Sequence, residues 1–143
     1  MECFKYCKEV KEKKMTKPKV FISFDFDNDS DLRDFLVGQA KHPESPFEIE
    51  NWSLKEPLTG DWKEKIKTRI RRCDQVIVMC GNYTDKATGV NIELKITQEE
   101  RKPYFLLAGR KDGNNKKPSN SLPTDKLYNW TWENLNLLLQ GKR

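Results

Sequence analysis

The sequence lacks the glycine-rich fingerprints that cradle phosphates: neither GxGxxG nor GxxxxGK[ST] follows an apolar run, and its seven glycines are scattered. Classical dinucleotide and P-loop sites are thereby excluded. Histidine is represented by His42 alone, and the four cysteines, Cys3, Cys7, Cys73 and Cys80, contain no CxxC pair, so no metal is expected. No stretch approaches the roughly 18 apolar residues of a membrane helix, and the basic N-terminus has no apolar h-region behind it. The expected address is the cytoplasm, with reduced thiols and no membrane partner.

What is present suits one α/β domain with a single core. The 143 residues are 36% hydrophobic, 34% charged and 10% aromatic, polar for a globular chain but too rich in aromatic and β-branched residues for a disordered one. Residues 1–18 hold six Lys and three Glu, a net +3 of the chain's +5. They read as a basic N-terminal extension ahead of a domain over 19–143, and Met15 stands where that domain could itself begin. The only other basic concentration, Lys63 to Arg72, is interrupted by apolar residues at helical spacing. It reads as the solvated side of a helix, and no nucleic-acid partner is expected.

Strand and helix signals alternate along the domain. Lys19–Phe24 is a short apolar run of the doubly buried kind. Ser30 can cap a helix that places Leu32, Phe35, Leu36 and Gln39 on one side. Phe47–Glu50 alternates as an edge strand does, and a long loop over 51–60 follows. Asp61 or Thr59 opens a helix with Trp62, Ile66, Ile70 and Cys73 in one stripe. Gln75–Cys80 is the continuous apolar run of a central parallel strand. Val90–Thr97 alternates like a strand, yet joining Gln75–Cys80 to Tyr104–Ala108 in parallel requires a crossover, so it is assigned as helix, ended by Pro103. Residues 109–126 read as a mobile surface loop, Leu127–Trp130 as a fifth strand, and Thr131 as the cap of a helix through Trp132, Leu135, Leu138 and Leu139. The pattern predicts a doubly wound, mainly parallel five-stranded sheet of flavodoxin-like order 2-1-3-4-5. Its ligand crevice would lie beyond strands one and three, at loops 25–28 and 81–89, with 52–60 closing one side.

Several chemistries fail at those loops. The acidic Asp25-Phe26-Asp27-Asn28-Asp29 repels the phosphate of a flavin. A phosphorelay receiver needs an acceptor Asp at the end of strand three, where Cys80-Gly81 stands. Asp29 reads as a turn and cap residue. His42 belongs to the opposite end of the sheet and cannot complete a nucleophilic triad, while Cys80 reads as a small buried hydrophobe. Glu93 remains. On the helix after strand three it can face the crevice, where a carboxylate can bond ribose hydroxyls and stabilise an oxocarbenium-like centre. A solvated charge beside Lys95 is the plainer alternative.

Five segments in order, KVFISFDFDND, Asn51-Trp52-Ser53, Trp62, VIVMCG and Val90-Asn91-Ile92-Glu93, resemble the TIR-like domain of the Thoeris ThsB family over about residues 18 to 108. The resemblance implies an antiphage defence component that cleaves NAD at the nicotinamide ribosyl bond and makes a cyclic ADP-ribose-type signal for a partner effector. NAD would be substrate, with no cofactor, and copies of the chain could self-associate. Glu93 matches the family's catalytic glutamate, Phe24, Asp25 and Phe26 its pocket loop, and Trp52 and Ser53 its second wall; Gly89 stands where relatives often place a Trp. A non-catalytic interaction or nucleotide-sensing module is the competing expectation.

Overall fold

The computed structural model describes residues 17–49 and 61–142. Five strands, β1 (Lys19–Ser23), β2 (Glu48–Ile49), β3 (Gln75–Cys80), β4 (Tyr104–Ala108) and β5 (Leu127–Asn129), form one sheet in the order β2-β1-β3-β4-β5. Every neighbouring pair is parallel. Parallel neighbours need crossover connections over a face of the sheet; helices supply the first three, the segment 109–126 joins β4 to β5, and a fourth helix follows β5. The helices are α1 (Phe26–Ala40), α2 (Trp62–Arg72), α3 (Thr88–Glu99) and α4 (Trp132–Leu139).

Alternation along the strands divides the apolar residues into two cores. Val20, Ile22, Ile77, Met79, Phe105 and Leu107 pack beneath α1 and α4. Phe21, Val76, Val78, Cys80 and Leu106 pack beneath α2 and α3. β3 is buried at all six positions. No described helix is long and apolar enough to cross a membrane.

The strand assignments hold, and so does the helix over Val90–Thr97. Its alternating pattern has a physical reason: α3 is wedged deeply enough to bury Val90, Leu94, Ile96 and Thr97, more than one narrow stripe. In α2, Ile66 and Ile70 face the sheet while Lys63, Lys65, Arg71 and Arg72 are exposed, as expected of a solvated basic side.

Three details differ. The cap of α1 is Asp25, not Ser30: its carboxylate accepts from the Asp27 amide at 3.2 Å, and its carbonyl from the Asp29 amide at 2.7 Å. The helix therefore starts earlier and kinks at Asp29, whose φ/ψ is −125°/20°. Phe35 is 67% exposed, because Leu32 and Leu36 take the sheet-facing positions. Segment 109–126, expected to be mobile, is tied down by hydrogen bonds: the Lys116 amide donates to the Gly81 carbonyl at 2.9 Å, and Asn120 bonds Asn91 through both its amide, at 2.9 Å, and its side chain, at 2.8 Å.

α3 ends ahead of Pro103 in a Schellman turn. The Lys102 amide donates to the Thr97 carbonyl and the Arg101 amide to that of Gln98, each at 3.1 Å. Arg101 sits at φ 56°, the left-handed conformation that glycine adopts without steric cost. Arg101→Gly should raise unfolding stability by about 0.5–1 kcal/mol in a urea titration.

Candidate functional site

Strand parity sets the site. Ser23, the last residue of β1, shares the α2/α3 face with Phe21 and is fully buried. Glu93 lies one turn into α3 on the same face, and the Ser23 hydroxyl donates to Glu93 Oε1 at 2.6 Å across 70 positions of sequence. Within α3, Thr97 Oγ1 donates to the Glu93 carbonyl one turn back, at 2.8 Å. The crevice end of the sheet thus carries a carboxyl anchored between β1 and α3.

Burial dominates that carboxyl's electrostatics and pushes it up to about 8, against a smaller opposing pull from the Ser23 hydrogen bond. Burial thus favours the protonated form of this carboxyl at neutral pH. Cys80, near the same strand end, is pushed up to about 12 by burial and by the charge of Asp29, which leaves it an inert thiol. Among the described residues, no three His, Cys, Asp or Glu side chains converge to hold a metal.

The loop after β1 is built differently from expectation in part. Asp25 is buried and serves as helix cap, also accepting from the Asn28 side chain at 2.7 Å. Phe24 packs against the α1/α4 core, on the face opposite Ser23, with the Arg33 guanidinium 5.6 Å from its ring. Phe26 is 47% exposed at the rim, its ring centroid 6.1 Å from that of Phe24. The structure therefore brings Glu93 to the end of β1 but does not turn Phe24 toward it. Trp52 and Ser53 lie outside the described residues. His42 stands at the far end of the sheet, edge-on to Trp132.

Asp29, expected as a turn and cap residue, does more than that. It is buried and ion-paired with Arg110, Nη2 to Oδ1 at 3.0 Å. Arg110 also reaches Asp31 at 2.6 and 2.8 Å and the Asn28 carbonyl at 2.8 Å. Gly81 lies against this cluster, where a Cβ would overlap the Asp29 carboxylate. Three loops at the crevice end, after β1, β3 and β4, are thereby locked together. Sequence reading missed both Arg110 and Ser23. A lone hydroxyl in an apolar strand, in phase with Phe21, was the available signal for Ser23; nothing local marks Arg110.

Two outcomes follow from these placements. Arg110→Ala strands a buried carboxylate and should cost about 2–4 kcal/mol. Burial already raises the Asp29 pKa against the lowering pull of Arg110, so that loss should grow as pH rises above the ordinary Asp range, read by denaturant unfolding at pH 4 and 7. For Glu93 the folded value is raised above the unfolded one, so its contribution is fully present below about 4.5 and lost as pH rises through about 8. Glu93→Gln should therefore stabilise the fold at pH 8–9, by roughly 1–3 kcal/mol since the residue is half-buried, and do little at pH 4.

The comparisons with known proteins agree with this architecture. Among solved structures the chain is similar to one described as the crystal structure of a prokaryotic SEFIR domain, with a TM-score of 0.52 and 20% identity, covering 87% of this chain and 95% of that one. At that identity the likeness concerns the fold. No curated protein matches the sequence. The family model described as Thoeris protein ThsB, TIR-like domain, matches residues 21–116, a span containing β3, β4, Ser23 at the end of β1, and Glu93. This chain belongs to the ThsB TIR-like domain family.

Proposed function

We propose that this chain is an NAD-processing enzyme of antiphage defence, which cleaves the nicotinamide ribosyl bond and releases a cyclic ADP-ribose-type signal for a partner effector protein. The observation that carries this reading is the Glu93 carboxyl held by Ser23 at the crevice end of the sheet, where doubly wound folds bind their ligands. A carboxyl raised to about 8 is largely protonated before substrate arrives. The nicotinamide ring of NAD is a cation, and its approach favours the ionised form. As the bond breaks, positive charge moves from the ring to the ribose, and a carboxylate already desolvated beside it stabilises the oxocarbenium-like centre more strongly than one in water. In this reading the loop carrying Phe24, Asp25 and Phe26 forms one wall of the nucleotide pocket, and Trp52 and Ser53 the other. NAD is the substrate, no further cofactor enters the reaction, and copies of the chain could associate to complete the site.

A second reading, a non-catalytic interaction or nucleotide-sensing module in the cytoplasm, is favoured by a different observation. Phe35, 67% exposed, borders an open groove of about 460 Å³ shared with Leu32, Trp130 and Arg110, remote in sequence from Glu93.

The two separate by experiment. Purified protein is incubated with NAD, alone and with phage-infected lysate, and nicotinamide and cyclic products are followed by mass spectrometry. Turnover should fall at least about 100-fold in Glu93→Gln. Equal silence of wild type and variant under every trigger, with a partner protein still captured, would favour the interaction module.

A further inference from the structure

Resting on the reading of Glu93 as the catalytic carboxylate, we infer that Ser23 is its positioning residue, fixing Oε1 through a buried hydroxyl and leaving Oε2 to the ribose. The geometry separates the two roles. Ser23 is fully buried in the last position of β1, so its hydroxyl cannot reach a substrate, whereas Glu93 is half-buried. The 2.6 Å contact links a strand to a helix 70 residues later, and both backbones are fixed independently. Ser23 is in register with Val78 of β3, and α3 is held by its buried Val90, Leu94 and Ile96 and by the Asn91–Asn120 bonds.

A glutamate has three side-chain torsions, and in an apolar surround a single fixed donor selects one rotamer and one orientation of the carboxyl plane. With Oε1 accepting from Ser23, a proton carried by Glu93 resides on Oε2, the oxygen that remains for the ribose hydroxyls. Losing that proton when the cationic ring binds then exposes negative charge on the same atom. Among the described residues no charged side chain contributes to the titration of Glu93, whose determinants are burial and Ser23. The titratable groups that β3 and the turn after α2 place on this face are the Cys80 and Cys73 thiols, raised to about 12 and about 11 and therefore neutral. The titration of Glu93 is thus a direct reporter of the Ser23 contact.

The experiment follows that titration in the full chain labelled with carboxyl-¹³C glutamate, using Glu93→Gln to assign the resonance. Wild type should show a carboxyl with a midpoint near 8 that disappears in Glu93→Gln. Ser23→Ala removes a bond that favours the ionised form, so the midpoint should rise by about one pH unit, and Ser23→Thr, which keeps the hydroxyl, should return it toward wild type. Where NAD turnover is measurable, Ser23→Ala should lower kcat about 10- to 100-fold with little change in KM. Should the alanine variant not fold, Ser23→Cys, a weak donor of similar volume, takes its place. An unmoved midpoint overturns the inference, as does a drop in kcat that Ser23→Thr does not rescue. A shifted midpoint in a protein without turnover keeps the positioning contact and overturns the enzymatic reading instead.

Discussion

A strand buried on both faces has no water to satisfy its backbone, so both of its edges must be paired. β3 is that strand: all six of its residues are buried, and β1 and β4 pair with it in parallel on either side. Parallel pairing forces crossover connections, which carry α2 and α3 over one face and α1 over the other, where the terminal α4 joins it. The chain reverses direction about β3, and the loops after β1 and β3 diverge at its carboxyl end. The crevice exists because β3 is central.

That crevice end is rigid for two unrelated reasons. One is the Arg110 clamp on Asp29 and Asp31, which neutralises the acidic run after β1 from a loop more than 75 residues away in sequence. The other is the strap over 109–126, which ties the loop after β3 to the start of α3 through Gly81 and Asn91. Between them, Glu93 can be desolvated without collapsing onto solvent-seeking rotamers. A carboxyl so placed costs stability at alkaline pH, and such local cost at the expected ligand site is how function is commonly stored in a fold.

Much of this was legible in the residues. Uninterrupted apolar runs marked β1, β3 and β4, and the connection rule rather than periodicity identified α3. Glu93 was legible because the strand order places the start of α3 at the crevice. Long-range polar pairing was not. Asp29 and Arg110 each look like surface residues locally, and only the fold brings them together and buries one of them. The same limit applied to Ser30, a good capping residue passed over because Asp25 caps first, and to Phe24, whose strand parity sends its ring to the opposite face from Ser23. The segment rich in Asn, Lys and Pro looked unstructured because its order comes from side chains of Asn82 and Asn91 supplied by other elements.

Among the described residues the two edges of the sheet are very short: β2 has two residues and β5 three. Such edges offer few unpaired amides and carbonyls in line, so they make poor templates for the addition of another strand. Growth of this sheet across a molecular boundary is disfavoured by construction. Contacts with another molecule would instead be written in side chains, on helix faces and loop rims, where single substitutions can alter recognition without disturbing the strands that hold the site.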